Sequence, residues 1–211
     1  MRDLFAVLLK HEHVDPGSAG ILSDVEQARL ARLVSPEKRT ALLRSLLAIR
    51  QCLSDRLSAT ADRLVITHDD AGVPTLPDYP SLSLSISRTR DLTAIALSEG
   101  RNVGIDIERE RPAGWRAMLS MISSDEEAKL LQSLSGNYTD PLPFFRAWTV
   151  KEAVMKAAGT GFRFGAKRVS VPETLLTRQN ATADIEIDGA VYPIETGHFE
   201  HHVFAVALCV G

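Results

Sequence analysis

Val103-Gly104-Ile105-Asp106-Ile107-Glu108 is the stretch on which the reading of this chain turns. A strand's period of two sends Ile105 and Ile107 to one face and Gly104, Asp106 and Glu108 to the other. Two carboxylates then share a side. That is unfavourable without nearby cations, and a divalent metal is one common relief. The plainer alternative is an exposed strand end, with Arg109 and Arg111 as surface partners.

Working upstream, the turn Glu99-Gly100-Arg101-Asn102 joins this strand to another over Thr93 to Ser98, so the two are expected to form a hairpin. Leu82, Leu84 and Ile86 alternate with Ser81, Ser83, Ser85 and Ser87, the pattern of a half-buried strand. Leu64 to Thr67 is a short strand candidate, stopped by Asp69, Asp70 and Gly72 and followed by an irregular stretch with Pro74, Pro77 and Pro80. A long helix is predicted from Pro36 to about Leu57, because Ser35 caps and proline is tolerated at the first helical position. It carries a local basic cluster of Lys38, Arg39, Arg44 and Arg50. Ser23 with Glu26 has the spacing of a capping box opening a helix to about Leu33, and Leu4 to Leu9 reads as a first strand.

Downstream, Ser123 or Ser124 ahead of Asp125, Glu126 and Glu127 starts a helix. Pro141 to Pro143 breaks the chain before another helix, from about Phe144 to Ala158, ended by Gly159 and Gly161. Strands are expected at Arg168 to Val171, Ala183 to Ile187, Val191 to Ile194 and Val203 to Val210, with Asp188-Gly189 as a hairpin turn. Helices and strands therefore recur in similar order before and after about residue 110, with no Gly/Ser-rich linker between. The expected class is α+β, with two pseudosymmetric lobes, 1–110 and 111–211. Each would be a small, mostly antiparallel sheet with packed helices, and any site would lie at their interface. Such an internally duplicated chain is expected to be a monomer.

Apolar residues at 45% and charged residues at 24% match ordinary globular usage, which excludes a disordered chain. The longest apolar runs, such as Val203 to Val210, fall short of the about 18 residues a membrane span needs. Met1 to Lys10 has no small-residue cleavage site and reads as a strand rather than a leader. Cys52 and Cys209 are too few for a disulfide framework or a metal knuckle, so a reducing, cytoplasmic setting is expected. A net charge of −3 gives no footprint for nucleic acid or an anionic membrane, and any phosphate binding must be local. His198, His201 and His202 invite a metal reading, but neighbours 201 and 202 would point apart on a strand, which favours a turn at a sheet edge.

A second constellation follows some 40 residues after the first: Trp148-Thr149-Val150-Lys151-Glu152-Ala153-Val154-Met155-Lys156. On a helix, Ala147, Val150, Val154 and Ala157 form a buried stripe, while Trp148, Glu152 and Lys156 line up beside it. Taken alone, Glu152 and Lys156 could be an ordinary ion pair one turn apart, worth about 0.2–0.5 kcal/mol.

Taken together, the two segments resemble the Sfp-type phosphopantetheinyl transferases, marked by a Gly-Ile-Asp-Ile-Glu strand and a Trp-Ser/Thr-x-Lys-Glu-Ala/Ser-x-x-Lys helix. Ser35-Pro36-Glu37-Lys38-Arg39, Gly72-x-Pro74 and Leu84-Ser85-Ile86-Ser87 are similar to further family segments in the family's order. The resemblance implies the family's two-lobed fold. It also implies transfer of 4'-phosphopantetheine from coenzyme A to a serine of an acyl, peptidyl or aryl carrier protein, releasing 3',5'-ADP. Asp106, Glu108 and Glu152 would hold Mg²⁺ against the pyrophosphate, and Lys156 would contact the phosphate being transferred. Asp106, Glu152 and Lys156 are thus the catalytic candidates, with Glu152, or a metal-bound water activated by it, as the base. Coenzyme A contacts are implied for Gly72, Pro74, Ser87, Arg88 and Lys156; Lys151 is either a further phosphate contact or a structural or solvated lysine, and Arg39 and Arg44 are either candidates for the 3'-phosphate or a solvated basic face. Neither nucleic acid nor a membrane is an expected partner, and docking of the carrier protein is expected on residues 112–143. The chain departs from the family pattern at Arg88, where a histidine is usual, and at Val73, where a lysine is often found. Arginine keeps a phosphate-binding fork but cannot accept a proton. That departure leaves one alternative, a catalytically impaired protein of the same fold that binds coenzyme A or the carrier protein. Metal-assisted hydrolysis of a nucleotide or phosphoester is a third reading.

Overall fold

The structure is a computed structural model that describes residues 4–111, 114–159 and 165–210. Its first sheet has the order β1-β5-β4, from β1 (Leu4–Lys10), β4 (Leu82–Arg88) and β5 (Leu92–Glu99). Its second has the order β6-β9-β8-β7, from β6 (Val103–Arg109), β7 (Ala181–Ile187), β8 (Ala190–Phe199) and β9 (His202–Leu208). All pairings in both are antiparallel. A small ribbon of β2 (Thr67–His68) and β3 (Pro74–Thr75) is all that forms where a strand over Leu64 to Thr67 was expected.

Each sheet buries one face under a helix and the other against its neighbour. Helix α2 (Pro36–Leu57) places Ile49 and Leu53 on Leu84, Ile95 and Leu97 of the first sheet. Helix α5 (Leu142–Ala157) covers the second sheet, Val150 and Val154 joining Ile194, Ala205 and Ala207. Between the sheets, Leu92, Ala94 and Ala96 of β5 meet Ile105 and Ile107 of β6 and Val206 and Leu208 of β9. The layers therefore run helix, sheet, sheet, helix, and the expected α+β class is what forms. The capping box closes α1 (Asp24–Ala31) as its spacing predicts, with Ser23 and Glu26 bonding each other's backbone. Helices α3 (Trp115–Ile122), α4 (Asp125–Leu134) and the short α6 (Glu173–Thr177) complete the second half. Gly161 lies outside the described residues. Among the described residues no helix is long and apolar enough to cross a membrane.

Two expectations are corrected. Strands β5 and β6 do not form a hairpin, because at residues 99–103 the chain leaves one sheet for the other and β6 pairs with β9. The turn signal is local, whereas β6 is buried on both faces and belongs between layers. The serine face of β4 takes part of the hairpin's place: Val103 N–H donates to Ser83 Oγ at 3.1 Å and Ile105 N–H to Ser85 Oγ at 3.0 Å. Residues 168–171 form no strand. A 3-10 turn over Ala166–Arg168 leads into loop, and the carbonyls of Ala166 and Val169 accept hydrogen bonds from Lys151 rather than from a neighbouring strand.

Candidate active site

Strand β6 and helix α5 run antiparallel and face each other closely. Gly104 makes this possible: a Cβ there would lie 1.9 Å from the Ala153 carbonyl oxygen and 2.6 Å from the Ala157 nitrogen. With the helix seated so tightly, the polar face of β6 meets the polar stripe of α5 along its length. Trp148 donates its indole Nε1–H to Glu108 Oε1 at 3.2 Å. Lys156 Nζ donates to Asp106 Oδ1 at 2.7 Å and to the Ile105 carbonyl at 3.0 Å. Ser87 of β4 also donates to Asp106 Oδ1, at 2.7 Å, so one aspartate ties three elements together.

Two buried oxygens at this seam, Asp106 Oδ2 and Glu152 Oε1, have no hydrogen-bond partner among the described residues. A buried carboxylate oxygen without a partner is costly, so this seam has room for a cationic ligand. Burial and then the Asp106 charge push the Glu152 carboxyl up to about 7, against the opposing pull of Lys156. Glu108 is raised as well, by burial and then by Asp106, while the Trp148 hydrogen bond, Arg111 and Lys156 pull the other way. All-oxygen donors of this kind suit a hard divalent cation such as Mg²⁺. However, among the described residues no group of three or more His, Cys, Asp or Glu side chains is drawn together as a metal cluster. Glu108 is bonded to Trp148 and lies 3.9 Å from Arg111, so the donor chemistry fits but the third carboxylate is engaged elsewhere.

Lys156 remains partly exposed and lines a pocket of about 450 Å³ together with Val73, Pro74, Arg101 and Gly159. Gly72 occupies the adjoining β2–β3 turn with φ +82°, a conformation that favours glycine. The structure thus brings Pro74, Ser87, Asp106, Glu152 and Lys156 to one seam, with Glu108 at its end and Gly72 beside the pocket.

Arg88 follows Ser87 at the end of β4, half-buried and without an ion pair or hydrogen bond among the described residues. Burial, and then the charge of Arg29, work against its cation. Arg29 and Arg88 together, after burial, hold His68 below its ordinary value. Three basic groups from α1, β2 and β4 thus lie within electrostatic reach of one another, while nearby Glu26 is committed to Arg50 at 2.7 Å. Such a patch is receptive to an anion. Sequence reasoning missed Arg29 and His68, since neither belongs to a motif.

Three candidates lie elsewhere. Of the two readings of Lys151 the structural one forms, and the ligand contact does not: it is fully buried, pairs with Glu127 at 2.8 Å and donates to the carbonyls of Ala166 and Val169. One helical position before Glu152 rotates it about 100° around α5, into the core. Arg39 folds back on the Leu33 carbonyl, at 3.2 and 2.6 Å from Nε and Nη2. Arg44 lines a different pocket of about 440 Å³ with His11, Arg90 and Asp91, and its Nε is buried without a partner. His198 bonds Glu110 at 2.6 Å and His202 bonds Asp91 at 3.2 Å, so each is taken up by a carboxylate.

A profile of the 4'-phosphopantetheinyl transferase superfamily matches residues 102–209, just over half of the chain, and includes both β6 and α5. The chain is similar to the 4'-phosphopantetheinyl transferase HetI of Nostoc, 31% identical over 68% of this chain and 62% of that one. It is similar to the 4'-phosphopantetheinyl transferase Sfp of Bacillus subtilis, 26% identical over 71% of each. It is also similar to the human L-aminoadipate-semialdehyde dehydrogenase-phosphopantetheinyl transferase, 24% identical over 87% of this chain and 65% of that one. The chain therefore spans between about three-fifths and seven-tenths of the length of these relatives.

Proposed function

Because the chain belongs to the 4'-phosphopantetheinyl transferase superfamily, we propose that it transfers the phosphopantetheine arm of coenzyme A to a serine of an acyl, peptidyl or aryl carrier protein. The observation that carries this reading is the pair of buried oxygens on Asp106 and Glu152 that have no partner among the described residues, at the β6–α5 seam where Lys156 bonds Asp106.

Coenzyme A lies in the pocket that Lys156 shares with Pro74, its phosphates directed toward Lys156 and toward the Arg29 and Arg88 patch. Arginine forks hold phosphate as fixed cations, so Arg88 binds without taking part in proton transfer. Arg44, in its separate pocket, is the candidate for the 3'-phosphate end. Lys156 is fixed by Asp106 and the Ile105 carbonyl, which orients its ammonium for the transferred group. Glu152, or a metal-bound water activated by it, is placed to accept the proton of the carrier serine as the hydroxyl attacks the β-phosphate and 3',5'-ADP leaves. Asp106 and Glu152 would hold Mg²⁺, with Glu108 joining once freed from Trp148, and the ion would offset charge on the pyrophosphate. The carrier protein docks on the surface of α3 and α4, where Met121 is an exposed apolar side chain.

The deciding experiment incubates the chain with coenzyme A, Mg²⁺ and an apo carrier protein and follows the carrier's mass. A gain of one phosphopantetheine arm is expected, and Asp106→Ala and Glu152→Ala should each remove most of it while far-UV circular dichroism is kept. Binding of coenzyme A with no mass gain would instead support a catalytically impaired protein of the same fold. Phosphate released without any acceptor would support hydrolysis.

A further inference from the structure

The two stacked sheets differ in width, three strands against four. Strand β4 meets β6 through its serines, and β1 lies against β8 and β9, so no described strand of the first sheet covers β7. The outer edge of β1 is likewise unpaired by any described strand. The His11 N–H donates to the Asp91 carbonyl, which makes the odd-numbered residues the hydrogen-bonded partners of β5. Leu4, Ala6, Leu8 and Lys10 therefore direct their backbone N–H and C=O groups to the open edge. Exposed edges are usually blunted by charge, proline or a bulge, and Leu4 to Leu9 contains none of these.

Each face of this edge is hollow. Toward α2, a cavity of about 700 Å³ is lined by Phe5, Leu9, Val14, Cys52 and Phe199, with Lys10, Asp55 and Arg56 as its charged lining residues. Toward the second sheet, a gap of about 410 Å³ is lined by Ala6, Leu8, Val206 and the exposed Glu195. A strand added beside β1 would send alternate side chains into the two hollows. Of the second hollow's lining only Glu195 is charged, and the acidic surface continues beyond it. On the β7–β8 face, Glu195 pairs across with Thr182, and Asp184 and Glu186 lie on the same side, all exposed. None of these three acids has an ion-pair partner among the described residues.

We propose that the open edge of β1 docks an extended segment of a partner protein in which apolar residues alternate with lysine or arginine, added as the fourth strand of the first sheet. The apolar side chains fill the cavity under α2 and the cations lie over Glu195, Asp184 and Glu186. A second copy of β1 is the poorer occupant, since Leu4 to Leu9 would set apolar side chains over those acids. The site is separate from the β6–α5 seam and stands whether or not the chain is a transferase.

The test uses ¹⁵N-labelled protein and a synthetic peptide, acetyl-Val-Lys-Val-Lys-Val-Lys-Val-amide. Binding should shift the amide signals of β1 and slow hydrogen exchange at Ala6 and Leu8, and the matching valine–glutamate peptide should bind about tenfold more weakly. Ala6→Pro should abolish the effect while keeping the β1–β5 bonds, because the Ala6 N–H points outward. Glu195→Lys with Asp184→Lys should reverse the preference between the two peptides, a readout that holds even if the proline variant does not fold. Equal binding of both peptides, no protection at Ala6 and Leu8, or self-association through β1 in sedimentation would each overturn the proposal.

Discussion

Replacing Glu152 by glutamine removes an ionisable group whose pKa rises from 4.5 to about 7 in the folded protein, through burial and the neighbouring Asp106 charge. A carboxyl raised on folding contributes fully below its unfolded value and loses that contribution as pH climbs through the folded one. At about 1.4 kcal/mol per pKa step, the rise corresponds to about 3.5 kcal/mol, an upper figure because the side chain keeps some solvent screening. The assay is urea unfolding in EDTA at about pH 5 and about pH 8, where Glu152 passes from largely neutral to ionised. Wild type should lose about 2–3 kcal/mol more across that range than Glu152→Gln. Glu108, also raised, titrates in both proteins, so the difference reports Glu152 together with its interaction with Glu108. Parallel pH profiles, or a glutamine variant less stable than wild type at the higher pH, would refute the reasoning that two carboxylates crowd this seam.

Gly104→Ala should force α5 away from β6, costing at least about 1–3 kcal/mol in thermal or urea unfolding and lowering transfer activity further than the stability loss explains. Lys151→Met should destabilise by about 3–5 kcal/mol by leaving Glu127 buried and unpaired, and adding Glu127→Leu should recover most of it. The double variant should keep the KM for coenzyme A, which a phosphate-binding Lys151 would not allow. Arg88→Ala should raise that KM about tenfold with kcat little changed in steady-state assays, and an unchanged KM would remove Arg88 from the ligand site.

Much of the site was legible because periodicity is a local property. The strand pattern alone places Gly104, Asp106 and Glu108 on one side, and the helix pattern alone aligns Trp148, Glu152 and Lys156. Caps at Ser23, Ser35 and Ser124 likewise depend on neighbours a few residues away and appear where expected. Lys151 shows the limit: adjacent to Glu152 in the motif, it reads as a site residue until the helix is seated and Glu127 is found beneath it.

What the amino-acid sequence determined by itself, then, is which side chains share a face. Which layer covers that face was decided by tertiary structure. The turn before β6 was compatible with a hairpin, and only burial on both faces sent the strand to β9. The approach of Arg29 and His68 to Arg88, the indole bond that holds Glu108, and the uncovered edge of β1 all join segments distant along the chain. Local pattern carries no record of such long-range packing, because a side chain's direction follows from its own backbone while its partner follows from the fold.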